Sequence, residues 1–311
     1  MKTLLFTGGG GAGSEALNRL FGSTYRVHFA DADIEARPAT VASTQWHSIP
    51  MAAAPSFIPR LQELCRELRV DVLVPGVDEE LPRVARERGG FDCDVLLPPV
   101  EFIETHLDKL ASNSALRAAD LPAPLTEQIG QRSKIKFPCI AKPRSGRGSR
   151  GVAIVRSEEE LSAHIVISRR PAEDFILQEL LEGQEYTVMM SADRNGILRA
   201  VVPVRVGVKR GITLRAQTDN DAAVVAACRA IHDSAPVPGC YNIQLIKDAN
   251  GAVKPFEINP RISTTACLAL AAGVDFVAAY LSAEAAPASL AQFRDDIGLK
   301  RSWHNEFVYQ R

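Results

Sequence analysis

The 311-residue chain has no excess of charge of either sign: 36 Lys and Arg stand against 37 Asp and Glu, for a formal net charge of −1. Nucleic-acid-binding domains usually show a pI above about 9 or a clustered basic face, so nucleic acid is not an expected partner. No apolar run reaches the roughly 18 uncharged residues that cross a bilayer. The most apolar stretch, 264–281, is broken by Gly273 and Asp275, and no membrane role is expected. The N-terminus has one Lys, then Thr3 to Phe6 and a glycine run, without a signal peptide's apolar core and cleavage site; this predicts a cytoplasmic protein. The 6 cysteines form no C-x-x-C pair and most sit in apolar runs, which predicts buried free thiols. Nor is there a histidine pair at metal-ligand spacing or a Ser-His-Asp pattern, and no histidine is given a catalytic role. Aromatic residues are only 6% of the chain, yet 46% of it is hydrophobic, as in an ordinary globular protein with ample core.

What is present alternates. Thr3 to Thr7, Ser14 to Phe21 and Tyr25 to Ala30 read as strand, helix and strand. Phe57, Leu61, Leu64, Cys65 and Leu68 line one face of a helix, followed by strands at Val70 to Val74 and Asp94 to Leu97. An open α/β layer ending near Pro98 and Pro99 follows. Beyond Pro122, short β-like runs flank one helix that starts near Ser157 with the acids Glu158 to Glu160, as in a small α+β module. Further on, Asp193-Arg194-Asn195-Gly196 and Asp248-Ala249-Asn250-Gly251 mark two hairpin turns, with helices near 219–231 and 264–272.

Three stretches carry possible chemistry. Gly8 to Gly13, after the first strand, fits G-x-G-x-x-G, and Asp31 lies where a ribose-binding acid would stand. An NAD(P)-dependent oxidoreductase is therefore a rival reading, the alternative being glycines that serve helix–strand packing. Ala141-Lys142-Pro143 leads into a loop containing Ser145, Gly146, Gly148, Ser149 and Gly151. Its amides are free to point at a polyphosphate while Lys142 adds a point charge, although a solvated basic hairpin tip also fits. The third stretch, Asn242-Ile243-Gln244 with Glu257-Ile258-Asn259-Pro260-Arg261, decides between these two: alternation puts Glu257 and Asn259 on one face, and pairing across the turn brings Gln244 beside them. Three oxygen donors with one full charge suit Mg²⁺, which completes its shell with water and phosphate. Arg261, just past the Pro260 bend, can aim at a transferring phosphoryl group. Asp78-Glu79-Glu80 reads preferentially as an N-cap with first-turn acids, the alternative being a resemblance to a front-domain element that can border a substrate pocket.

In order along the chain, Asp108-Lys109-Leu110, Ala141-Lys142-Pro143 with its glycine loop, Gln178 to Tyr186, Asn242-Ile243-Gln244 and Glu257 to Arg261 together resemble the ATP-grasp ligases. The closest likeness is to one half of the carbamoyl-phosphate synthase large subunit. The resemblance implies an α/β and α+β protein: a Rossmann-like pre-ATP-grasp domain over residues 1–104, then a two-part ATP-grasp fold. Its small subdomain with the glycine-rich lid would cover 105–178 and its large subdomain with the Mg-binding hairpin 179–311. By the same resemblance Lys109 and Lys142 contact ATP phosphates, with Ser145, Gly146, Gly148, Ser149 and Gly151 above them. Glu179, Leu180 and Leu181 form the adenine hinge, and Glu185 holds the ribose or the inner rim. Lys209 and Arg215 belong to a basic loop near the γ-phosphate, with a solvated turn as the alternative. Gln244, Glu257 and Asn259 ligate two Mg²⁺ ions, for which Mn²⁺ can substitute, with Glu257 bridging, and Arg261 and Lys142 are catalytic. The implied activity is ATP-dependent ligation of a small-molecule carboxylate to an amine or a thiol through an acyl phosphate, in a protein that can be a homodimer. A non-catalytic ATP-binding sensor is the remaining rival.

Overall fold

A computed structural model describes residues 1–130, 134–283 and 289–302. The chain begins with β1 (Thr3–Thr7), α1 (Ser14–Phe21), β2 (Arg26–Asp31), β3 (Trp46–Ser48), α2 (Phe57–Leu68), β4 (Val72–Val74), α3 (Leu81–Arg86) and β5 (Asp94–Val95). These strands form a five-stranded parallel sheet in the order β3-β2-β1-β4-β5. Strand order reverses between β1 and β4, and the carboxyl ends of those two strands are where an open α/β sheet presents its crevice.

Two helices, α4 (Val100–Leu107) and α5 (Lys109–Ala118), lead out of this layer. Asp108 separates them and caps α5, accepting from the amides of Leu110 (2.9 Å) and Ala111 (3.3 Å). There follow β6 (Thr126–Gln128), β7 (Cys139–Pro143), β8 (Ala153–Val155), α6 (Glu158–Ser168) and β9 (Phe175–Glu179), giving a four-stranded antiparallel sheet ordered β6-β9-β7-β8. Its small core, around Cys139, Ala141, Val155, Leu161 and Leu177, is separate from the others.

The remaining elements are β10 (Gln184–Ala192), β11 (Leu198–Arg210), β12 (Ile212–Thr218), α7 (Ala222–Ser234), β13 (Gly239–Lys247), β14 (Val253–Asn259), α8 (Ala266–Ala271), α9 (Phe276–Leu281) and β15 (Gly298–Lys300). The strands make a six-stranded antiparallel sheet ordered β14-β13-β10-β11-β12-β15. Both expected hairpins form, each turn closed by an Asp side chain: Asp193 accepts from the amides of Asn195 and Ile197, Asp248 from those of Asn250 and Ala252. The run from Val206 to Arg215, expected as a basic loop, is instead the end of β11 and the start of β12 around Gly211.

One face of this large sheet shares a core with the parallel sheet. Phe21, Phe29 and Val74 pack in one cluster with Met189, Val202, Cys240 and Phe276. The Phe21 and Phe276 rings meet edge to face at 5.3 Å, and Tyr25 donates to Asp275 at 2.8 Å. The six cysteines are free thiols, all buried except the half-buried Cys93.

Candidate ATP site

The β13–β14 pairing sets Gln244 directly opposite Glu257 and Asn242 opposite Asn259, so one hairpin face presents three amides and a carboxylate together. Asn242 donates to the carbonyl of Arg261 at 2.9 Å and so fixes the bend that carries that residue. Around these oxygens stand three ammonium groups from three other elements.

Lys109 opens α5; its Nζ lies 3.6 Å from Glu257 Oε1 and donates to the Gly146 carbonyl at 2.7 Å. Lys209, on β11, donates to Glu185 at 2.5 Å and to Gln244 Oε1 at 3.0 Å. Lys142, on β7, is 4% exposed and donates to Gln178 Oε1 at 2.9 Å, with the Phe256 ring 5.6 Å away. Burial lowers its pKa to about 8, opposed by the nearby Glu257 carboxylate.

The loop after Lys142 arches over this cluster. Gly146 and Gly148 adopt φ of +128° and +67° with no neighbour near a virtual Cβ, a path that side-chain-bearing residues rarely follow. The loop is tied down by Lys109 at Gly146 and by Arg147, whose Nε is 3.4 Å from Glu79. Ser145, Ser149 and Gly151 lie on the same arch.

Beside it, residues 179–183 with Ile246, Asp248 and Lys254 line a cavity of about 610 Å³. Leu180 and Leu181 form part of its wall. The Glu179 carboxylate accepts from the Leu125 amide (3.1 Å) and Lys254 Nζ (3.0 Å), and both contacts hold it below the usual carboxylate range against the effect of its burial. Arg215 is exposed and registers with Val208, not with Lys209; among the described residues no hydrogen bond or ion pair joins its side chain to the cluster.

One carboxylate and two amide oxygens on a single face are hard donors, too few for a protein-only cage but suited to Mg²⁺ arriving with phosphate oxygens. Two ammonium groups lie against Gln244 and Glu257, so these oxygens already face positive charge. The residues present therefore fit the metal.

The N-terminal glycines are used differently. Gly8, at φ +65°, has the Val77 side chain 2.7 Å from a virtual Cβ; Gly9 has Phe29 and Trp46 at 2.8 Å and Gly10 has Ala36 at 2.6 Å. Asp31 accepts from the Gly10 and Asp33 amides. A side chain at any of these three positions would strike protein atoms, so the glycines serve close packing.

The expected capping role of Asp78-Glu79-Glu80 needs correction. Glu80 sits at the N-cap of α3 but makes no side-chain cap; its Oε1 turns back to Thr7 and to the amides of Gly76 and Val77. Asp78 forms an ion pair with Arg261, 183 residues away. Nothing in the local sequence distinguishes these roles from a cap. Gln178 and Asn242 likewise lie within the motifs without a role of their own, and Phe256 lies just before one.

Residues 171–301 match the family described as ATP-grasp in the biosynthetic pathway with Ter operon. The chain is 23% identical over 303 residues to the carbamoyl phosphate synthase large chain of Bifidobacterium longum, covering 85% of this chain and 26% of that protein. It thus spans about a quarter of the length of that relative. It is 24% identical over 165 residues to the biotin carboxylase of Halalkalibacterium halodurans, covering 47% and 36% of the two chains. Among solved structures, an ADP complex of N5-carboxyaminoimidazole ribonucleotide synthetase superposes with a TM-score of 0.71 at 16% identity, covering 90% of this chain and 76% of the other. An L-amino acid ligase from Bacillus licheniformis superposes with 0.65 at 16% identity, covering 89% and 72%. Residues 171–301 thus match an ATP-grasp family, and the sheets of the chain take the fold of these two solved enzymes.

Proposed function

We propose that the protein is an ATP-dependent carboxylate–amine ligase. The observation that carries this reading is the convergence of Lys109, Lys142 and Lys209 on Glu257, Gln244 and their neighbours beneath a glycine-rich arch, next to a hinge-lined cavity of nucleotide size. ATP carries about four negative charges, and a site that both binds and reacts with it needs cations where charge develops.

In this reading the base lies against the hinge backbone of residues 179–183, and Lys109 and Lys142 hold the phosphates. Gln244, Glu257 and Asn259 would hold Mg²⁺, two ions with Glu257 shared, which neutralises the β- and γ-phosphate oxygens when bound. A substrate carboxylate oxygen forms a bond to the γ-phosphorus as the bond to the β–γ bridging oxygen breaks, and ADP leaves. Arg261 stabilises the charge on the group in flight. An amine nitrogen then attacks the acyl carbon of the acyl phosphate, inorganic phosphate departs with the bonding pair, and the amine proton passes to solvent. The arch over residues 145–151 excludes water, which would otherwise hydrolyse the acyl phosphate. The similar proteins include an L-amino acid ligase and a D-alanine–D-alanine ligase, the latter 30% identical over 88 residues, which favours an amine over a thiol as acceptor. The three-residue oxygen set also favours a catalyst over a passive ATP sensor, which has less need of it.

The test screens amino acids and small carboxylic acids in pairs for Mg²⁺-dependent ADP release. Release that requires both an acid and an amine is expected. Glu257→Ala should lose at least about a thousandfold in turnover with an unchanged circular dichroism spectrum. Near-normal turnover in that variant, or failure of the wild type to bind Mg·ADP in calorimetry, would refute the assignment.

A further inference from the structure

The turn after β4 carries three consecutive acids, and each has a different partner. Glu80 builds the turn itself through Thr7, Gly76 and Val77. Glu79 reaches Arg147 of the arch, but both side chains are well exposed, and such pairs contribute little. Asp78 is different. Its side chain and that of Arg261 are 13% and 16% exposed, and its Oδ1 accepts from Arg261 Nε.

The rest of Arg261 is fixed as well. Its amide donates to the Asn259 carbonyl at 2.8 Å, its carbonyl accepts from Asn242, and Nη1 donates to the Ile262 carbonyl at 3.2 Å. Bonds from Nε and Nη1 define the plane of a guanidinium, a planar fork that loses little further freedom once held. Among the described residues Nη2 has no protein acceptor. A largely buried ion pair between segments so distant in sequence is weak evidence of a stabilising device, since desolvation offsets most of the Coulomb attraction. Orientation of the guanidinium is the better account of it.

We propose that Asp78 is a positioning residue for phosphoryl transfer: it holds Arg261 through Nε and leaves Nη2 for the transferring group. This rests on the ligase reading. It also gives the Rossmann-like domain a direct part in the chemistry, because the acid comes from the crevice of the parallel sheet and the arginine from the metal hairpin.

The experiment measures, by calorimetry, the dissociation constants of Mg·ADP and of Mg·ADP with aluminium fluoride, a mimic of the group in flight. Wild type, Asp78→Asn, Asp78→Ala, Arg261→Ala and the double variant Asp78→Ala/Arg261→Ala are compared. Aluminium fluoride should tighten wild-type binding, and Asp78→Ala should lose about tenfold or more of that gain while Mg·ADP alone binds as before. In the Arg261→Ala background, removing Asp78 should cost nothing further. Asp78→Asn preserves shape and an acceptor oxygen, so it should fall between wild type and Asp78→Ala, and it keeps the test open if the alanine variant loses its fold. Equal tightening across wild type and variants, a gain in fluoride-complex affinity on losing Asp78, or additive losses in the double variant would overturn the proposal. A wild type that binds no Mg·ADP would instead sink the ligase reading on which it stands.

Discussion

The ammonium of Lys142 is enclosed by Gln178, the Phe256 carbonyl and the Phe256 ring, and burial brings its pKa from 10.5 down to about 8. Between those values the unfolded chain binds a proton that the folded chain has released, so stability rises as pH is raised through about 8 to 10.5. Below pH 8 the fold carries the cost of a buried charge. Lys142→Met should therefore stabilise the ligand-free protein at pH 7 by about 1–3 kcal/mol in urea titration. The same substitution should flatten the pH dependence of the unfolding midpoint between 8 and 10 and weaken Mg·ADP binding at least about tenfold. A midpoint that falls at pH 7 would show that the ammonium is fully compensated in the free protein. Residue-scale chemistry was legible in the sequence where it obeyed a local period: alternation and an Asn-Gly turn placed Gln244, Glu257 and Asn259 on one face. Asp78 was not, because its partner is 183 positions away and an acid before a helix looks the same whether it caps or pairs.

Among the elements, the arch between β7 and β8 is held by few contacts. A Cβ at Gly146 or Gly148 would meet nothing, and the loop's ties are one lysine at Gly146, the exposed Arg147–Glu79 pair, and at its far end the His164 ring nitrogen 3.0 Å from the Gly151 carbonyl with Pro143 beside Gly151. Segments with so few buried contacts open at low free-energy cost. Trypsin should cut the free protein first at Arg147 and Arg150, and saturating Mg²⁺ with a non-hydrolysable ATP analogue should slow that cleavage about tenfold or more, as phosphates add anchors to the loop. Cleavage there at an unchanged rate would mean that the arch does not close on nucleotide. The composition of this loop made its place legible. The β11–β12 turn was missed for the converse reason: Gly211 and its charged neighbours look like loop, yet both flanks pair across the sheet, and that pairing carries Lys209 to Gln244.

For the whole molecule, the cores do not follow the order of the chain. The parallel sheet and one face of the six-stranded sheet share a single cluster, while the small β6–β9 sheet keeps its own. Sequence periodicity shows that a strand has an apolar face but not which sheet will cover it, so this division was out of reach before the structure. It has a mechanical consequence: the turn bearing Asp78 and the hairpin bearing Arg261 ride on one packed body, and the glycine arch rides on another. Phe276 lies at the centre of the shared cluster, fully buried against Phe21. Phe276→Ala leaves a large cavity there and should cost about 3–5 kcal/mol. Because the core is common, the loss should appear in reporters on both sides of it. In a Trp303→Phe background, which leaves Trp46 on β3 as the sole tryptophan, the fluorescence midpoint in urea should fall together with the far-ultraviolet midpoint. A Trp46 transition that stays in place while the large sheet unfolds earlier would mean that the Rossmann-like layer stands on its own, and the rigid coupling of Asp78 to Arg261 would then have to come from the ion pair alone.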